Sequence, residues 1–377
     1  MSAIKLDTSR SEKAAALQAA LEENVIGQKR AVDSLVRAHE IVLAGISDPH
    51  RPLLTVLFLG PTGVGKTELA KTLAKALGLT GLTRIDCAEF RERHTLLNLI
   101  GSPKSYVGYS DGPRLQQAKI DRYQTTDCKV NVVLFDEVEK AHPEFTNILL
   151  GLLDSGHLNL SDGETDFTKT IIVLTSNLSS RETSALIHNS NIGFHSEHED
   201  RKALDDEIWK VSKGAVAKFF RPELVNRIDK IISFHSLSSA SMRQILALEL
   251  KSIQERLFNA QHIVTIRCTS AARDWLLQNG TSEVYGAREL KRLLERKVVA
   301  PLASILANKA VEPGDRIVID ARNPDAKDLV FLRKKGQLLK RVKEAIKQQK
   351  PDFPLLVPEP LPTCDYSPYF DPEWSPT

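Results

Sequence analysis

Eight consecutive residues, Gly60-Pro61-Thr62-Gly63-Val64-Gly65-Lys66-Thr67, have the types and spacing to hold a nucleoside triphosphate. The glycines let backbone N–H groups close around phosphate oxygens. Lys66 supplies a cation for the β- and γ-phosphates, and the Thr67 hydroxyl supplies an oxygen for Mg²⁺. Downstream, Asp136 and Glu137 end an apolar run. Asp136 is suited to hold Mg²⁺, directly or through water, and Glu137 to polarise an attacking water as general base. Asn177 ends a further apolar run. Phosphoryl transfer needs positioning and charge compensation more than covalent chemistry, so the remaining parts are expected to be polar or cationic.

The elements that must position these residues are legible as alternating periods. Residues 53–59 read as a buried strand feeding the loop, and 68–77 as the helix that leaves it. That helix lends its N-terminal dipole and N–H groups to an anion. Further strands are expected over 81–86, 130–135 and 170–175. Helices are expected over 11–23, 30–44, 90–100, 114–123, 145–153 and 204–220, with a polar hairpin over 156–168 and an exposed His-rich loop over 179–203. Strands alternating with helices predict an α/β fold, a mostly parallel, doubly wound sheet with helices on both faces. Ligands of such sheets bind at the carboxyl ends of the strands, where Gly60, Asp136 with Glu137, and Asn177 all fall.

Near residue 234 the pattern changes to a smaller α+β domain. Helices are expected there over 241–257, 271–278 and 287–306, the last interrupted at Pro301, with short strands over 263–266, 316–319 and 329–332. The expected organisation is an N-terminal arm (1–20), a large nucleotide-binding domain (21–234), a small domain (235–335), a basic helix (336–350) and a Pro-rich, disordered tail (351–377). The basic helix reads as a solvated face or a terminal packing helix, with an acidic partner or nucleic acid as the other readings. A net charge of +3 over 377 residues does not by itself imply nucleic acid. Four cysteines without metal or disulfide spacing, no apolar run of membrane-spanning length and no secretory start lead us to expect a cytoplasmic protein without a membrane partner.

Five separated motifs then resemble one family. The loop at Gly60, the run 134–143 (LFDEVEKAHP), the run 174–178 (LTSNL), residues 220–229 (FRPELVNRID) and Tyr285-Gly286-Ala287-Arg288 follow the order and spacing of the second ATPase module of Clp-type AAA+ unfoldases. The resemblance covers about residues 20–335. It implies an ATPase with ATP and Mg²⁺ as cofactors, assembled as a homo-hexameric ring that acts on unfolded or aggregated polypeptide. It places Val25 and Ile26 in the adenine pocket and makes Asn177 sensor 1, which orients the hydrolytic water. It makes Arg227 the arginine finger reaching the neighbouring subunit's γ-phosphate, and Arg288 sensor 2. Tyr106, Val107 and Tyr109 match the axial pore loop, where an aromatic on a Gly-flanked loop grips polypeptide without reading its sequence. The hairpin over 156–168 matches a second pore-lining loop.

This chain departs from the family at Ser105, where a glycine is usual, and at Ser110-Asp111, where an acidic pair is usual. The chain has room for about one AAA+ module plus tails. We therefore expect no N-terminal substrate domain, first ATPase module or coiled-coil middle domain of the larger members. Ile192-Gly193-Phe194 resembles the tripeptide by which some members dock a barrel peptidase, and reads equally as a loop tip with an incidental apolar pair. The leading expectation is an ATP-driven unfoldase or remodelling chaperone. The alternatives are the regulatory ring of a Clp-type protease, an AAA+ nucleotide switch or scaffold without translocation, and a nucleic-acid motor, which the near-neutral charge supports least.

Overall fold

Strands that are buried at every position require cover on both faces, and the central strands of this chain receive it. The structure is a computed structural model that describes residues 10–101, 112–178, 198–281, 286–321 and 328–335, with backbone alone for 198–206. Along the chain come α1 (Glu12–Asn24), α2 (Lys29–Leu43), β1 (Leu54–Leu59), α3 (Lys66–Ala76), β2 (Thr83–Asp86), α4 (Leu97–Ile100), α5 (Gln117–Asp121), β3 (Asn131–Asp136) and α6 (Phe145–Ser155). The hairpin β4 (His157–Leu160) and β5 (Gly163–Asp166) follows, then β6 (Thr170–Ser176), α7 (His198–Phe219), α8 (Pro222–Val225) and β7 (Lys230–Ser233).

Strands β2-β3-β6-β1-β7 form one sheet in that order, parallel throughout. Alternation sends Val56, Phe58, Val132, Leu134, Ile171 and Val173 to one face, against Leu35 and Val36 of α2 and Leu69 and Leu73 of α3. Leu57, Leu59, Val133, Phe135, Ile172 and Leu174 point to the other, against Phe145, Leu149 and Leu152 of α6 and Val216 of α7. The sheet is therefore doubly wound, as expected from the sequence.

Local departures have local causes. Instead of a helix over 90–100, two 3₁₀ turns, Cys87–Phe90 and Arg93–Leu96, precede the single turn α4. Asp86 accepts the N–H of Ala88 at 3.0 Å and tightens the first turn. The polar run Arg91-Glu92-Arg93-His94 breaks the apolar stripe that a longer helix needs. The helix expected over 114–123 contracts to α5, and α7 begins at His198, inside the stretch expected to be loop.

The residues up to His235 make one compact unit and those from Ser236 a second. The second contains α9 (Ser239–Asn259), β8 (Thr265–Cys268), α10 (Ser270–Gly280), α11 (Ala287–Leu294), α12 (Ala300–Ala307), β9 (Arg316–Asp320) and β10 (Val330–Lys334). Its sheet runs β10-β9-β8, and its core holds Met242, Leu246, Trp275, Leu276, Leu290, Leu294, Ile317 and Ile319. Pro301 does not end the helical path. A π turn, Glu295–Val299, joins α11 to α12, and the Ala300 N–H bonds back to Glu295. Pro301 thus falls in a first turn, where its missing N–H costs little.

Among the described residues no helix is long and apolar enough to cross a membrane. Tyr106, Val107, Tyr109, Ile192, Gly193, Phe194, Tyr285, the basic helix expected from 336 and the tail from 351 lie outside the described residues.

Candidate nucleotide site

Parallel register brings the loop and the polar strand ends together. Leu59 of β1 pairs with Ser176 of β6, so Gly60 emerges beside Asn177. Asp86 pairs with Asp136 across β2 and β3. Gly60 has φ 146°, and a Cβ on it would lie 2.6 Å from the Phe234 carbonyl oxygen. No other residue fits that position without moving the end of β7. Gly65, at φ 108°, is the N-cap of α3, and no side chain caps it. The first-turn N–H groups of α3 therefore face the loop, in the arrangement that binds anions.

Lys66, 8% exposed, donates from Nζ to the carbonyls of Gly60 at 2.5 Å and Pro61 at 2.7 Å, and to Asn177 Oδ1 at 2.6 Å. From its other end, Asn177 Nδ2 donates to Glu137 Oε1 at 3.2 Å. One amide thus joins the loop cation to the strand-end carboxylate. Asn177 is itself fixed, since its backbone N–H donates to Glu139 Oε1 at 3.1 Å.

Asp136 is 6% exposed. Its Oδ1 accepts from the Thr175 hydroxyl at 2.5 Å, and its Oδ2 from the Thr67 hydroxyl at 3.4 Å. The same Oδ2 accepts from Arg84 Nε at 3.1 Å and Nη2 at 2.7 Å. Glu137 sits in the left-handed region, φ 57° and ψ 52°, at a cost of order 1–3 kcal/mol for a residue with a side chain. Its N–H donates to Thr175 Oγ1 at 3.0 Å, which holds the turn. Beside these carboxylates, burial first and Asp136 second push the Cys87 thiol up, so it stays protonated.

The remaining sequence-derived residues divide. Val25 is buried and Ile26 half-buried; Val25 Cγ1 lies 3.7 Å from the place a Cβ on Gly65 would take, so this turn borders the loop. Arg227 is not brought to it. Two residues beyond Arg227, the Asp229 N–H donates to the carbonyl of Thr55, near the start of β1. Gly60 follows the end of that strand, about 17 Å away at the ordinary rise per residue and beyond the reach of an arginine side chain. Arg227 instead pairs with Asp154 at 2.7 Å. Arg288 is an exposed residue in the first turn of α11, in the second unit.

Sequence reasoning missed two contributors. Gln28, 2% exposed, donates to the carbonyls of Val64 at 3.2 Å and His235 at 2.8 Å and accepts the His235 N–H at 3.1 Å. It ties the Val25-Ile26 turn to the loop and to the end of β7. A lone amide in an apolar turn was its only sequence signal. Arg84 reads locally as a surface residue of an edge strand, and no local signal points it at Asp136.

Glycine-opened backbone, a buried lysine and the paired oxygens of Thr67 and Asp136 fit a triphosphate and a hard, oxygen-seeking cation such as Mg²⁺. A phosphate loop and two strand-end carboxylates at the carboxyl edge of a parallel sheet define a P-loop nucleotide-binding protein. Residues 51–231 match the family described as AAA domain (Cdc48 subfamily), and residues 237–319 match the C-terminal, D2-small domain, of ClpB protein. Among relatives, chaperone protein ClpB 2 of Thermosynechococcus vestitus is 41% identical over 323 residues, 84% of this chain and 34% of the relative. Chaperone protein ClpB of Rhodopseudomonas palustris is 41% identical over 314 residues, 82% of this chain and 33% of the relative. Chaperone protein ClpB of Bacillus cereus is 39% identical over 326 residues, 85% and 35% respectively. The chain spans about a third of the length of these relatives. It belongs to the Clp-type AAA+ family and corresponds to that family's C-terminal ATPase module.

Proposed function

We propose that this chain is an ATP-dependent protein unfoldase or remodelling chaperone of the cytoplasm, working as a homo-hexameric ring that threads unfolded or aggregated polypeptide through its centre. The observation that carries this is the place of Arg227. It lies at the opposite end of β1 from its own phosphate loop, so a γ-phosphate within its reach must belong to another subunit. A head-to-tail contact of that kind makes a ring where its rotation closes, and a cation supplied in trans is worth roughly 10³–10⁵ in rate.

Within the site, Lys66 and the first-turn N–H groups of α3 bind the phosphates, with Gly60 to Gly65 as the cradle and Val25 and Ile26 against the base. Thr67 and Asp136 would hold Mg²⁺, which would supply charge neutralisation to the developing phosphoryl charge. Glu137 takes the proton of the attacking water. Asn177, bonded to both Lys66 and Glu137, keeps that base aligned with the phosphate. Arg288 reports nucleotide to the small domain, with 21–234 taken as the large domain and 235–335 as the small one.

The described stems also support Tyr106, Val107 and Tyr109 as a pore loop. The N–H groups of Arg114 and Leu115 donate to the carbonyls of Asn98 and Leu99, which clasps the two ends of the 102–111 segment. Ser161, in the turn of the β4–β5 hairpin, donates its N–H to the Ile100 carbonyl at 3.0 Å, so the two proposed loops share a base.

The test is Glu137→Gln together with Tyr106→Ala. The first is expected to bind ATP without turning it over and to retain substrate. The second is expected to keep ATP turnover and lose ATP-dependent unfolding of a tagged reporter; unchanged unfolding refutes threading. The second reading, a ring that feeds a Clp-type peptidase through Ile192-Gly193-Phe194, rests on that tripeptide and requires co-purification that is lost on its deletion.

A further inference from the structure

Arg51 lies just ahead of β1, in none of the motifs that identify the site. Its guanidinium nevertheless makes three contacts, two to the segment carrying Arg227 and one to α6. Nη2 donates to the Arg227 carbonyl at 2.8 Å. Nε donates to the Leu153 carbonyl at 3.2 Å, one of the carbonyls that the last turn of α6 leaves without an intrahelical partner. Nη1 stands 3.9 Å from Asp229 Oδ1. Asp229 in turn accepts the Thr55 N–H on Oδ2 at 2.7 Å. The Arg227 turn is thereby tethered to β1 on one side and to α6 on the other.

The residue after Leu153 is Asp154, whose Oδ1 lies 2.7 Å from Arg227 Nη2. Arg51 therefore fixes the main chain of Arg227 and the main chain next to its carboxylate partner at once. A planar fork with donors on three nitrogens can do this, and a lysine ammonium cannot. The pair it aligns is exposed, with side chains 43% and 55% accessible, so it is weak enough to exchange for another anion.

We propose that Arg51 is the positioning residue for Arg227 and that Asp154 is the resting seat of the Arg227 guanidinium, given up when the neighbouring subunit presents a phosphate; this rests on the reading of Arg227 as an intersubunit finger. Arg51 holds the backbone at a fixed offset from the ring contact, and Asp154 competes with the phosphate for the side chain.

The experiment measures kcat and KM for ATP in the full-length protein, with assembly followed by sedimentation and nucleotide affinity by fluorescence. Arg51→Gln is expected to lower kcat by ~10²-fold, the scale of a misplaced catalytic group, with little change in KM or nucleotide affinity. Arg51→Lys should not restore it. In an Arg227→Ala background, Arg51→Gln should cost nothing further, because both changes remove one interaction. Asp154→Asn keeps the shape of the site and leaves folding intact, so it decides the matter if Arg51→Gln does not fold. It is expected to raise kcat, by up to about fivefold for an exposed pair, and to have no effect in the Arg227→Ala background. An unchanged kcat in Arg51→Gln, losses that add to those of Arg227→Ala, or a fall or no change in Asp154→Asn would overturn the proposal. Full turnover by Arg227→Ala itself would instead remove the finger reading on which it rests.

Discussion

Arg84 Nη2 lies 2.7 Å from Asp136 Oδ2, the oxygen that the Thr67 hydroxyl also approaches. The two residues are diagonal neighbours on one face of the sheet, since Arg84 pairs in register with Leu134, two positions before Asp136. With Thr175 on Oδ1, both oxygens of this carboxylate have protein donors. A cation that binds Oδ2 beside Thr67 must therefore displace or share the Arg84 contact. Arg84→Gln is expected to shift the Mg²⁺ dependence of nucleotide affinity to lower Mg²⁺ by several-fold. It should cost the metal-free protein no more than about 1 kcal/mol, because the Arg84 side chain is half exposed. Calorimetric nucleotide titrations across a Mg²⁺ series read the first effect and melting in a chelator reads the second. An unmoved Mg²⁺ midpoint would show that the pair persists alongside the metal.

Asn177 joins Lys66 to Glu137. Asn177→Ala removes the acceptor for the lysine and the donor for the glutamate in one change. ATP turnover is expected to fall about 10²–10³-fold, the scale of losing one preorganised donor, while ATP affinity changes little because Lys66 keeps its backbone acceptors. Asn177→Asp should be as poor or worse, since it sets a second carboxylate against Glu137. Single-turnover rates beside equilibrium nucleotide binding separate chemistry from affinity. Equal losses in both would mean that Asn177 serves the loop alone.

His39, fully buried in α2, supplies a pH dependence. Burial pushes its imidazole down to about 4 from an ordinary 6.5. The unfolded chain takes up a proton near pH 6.5 that the folded chain refuses until pH 4. The stability linked to His39 is therefore complete above pH 6.5 and is lost as pH falls from there toward 4, by about 3 kcal/mol in all. Urea unfolding between pH 7 and pH 4 should show that decline, and His39→Leu should flatten it. A wild-type slope that His39→Leu leaves intact would assign the effect to other groups.

The parts of the site that were legible in the sequence are those whose chemistry is local. Gly60 to Thr67 carries strand end, turn, cation and hydroxyl within eight residues. Asp136 and Glu137 are recognisable because an apolar run stops at them, and the all-buried strands were readable because a strand covered on both faces has no polar alternation to hide it. The helix expected over 90–100 was misjudged because apolar residues on either side of a polar run look continuous to a period count. Asp86 caps the tight turn that precedes it, and the polar run Arg91 to His94 interrupts its apolar stripe.

Sequence by itself determined what kind of site this is: a phosphate cradle, an acidic strand end and a family of motifs in order. Tertiary structure alone decided who touches whom. Gln28 holds His235 across 207 residues of chain, Arg51 holds Arg227 across 176, and Arg84 holds Asp136 across 52. None of these pairs has a local signature. The Arg84–Asp136 pair exists because parallel register sets residues of two strands side by side, and a shift of one position would turn every side chain to the opposite face; Gln28 and Arg51 meet their partners from segments that flank the strands. The same register sets Arg227 at the far end of β1 from Lys66, beyond the reach of its own phosphate loop.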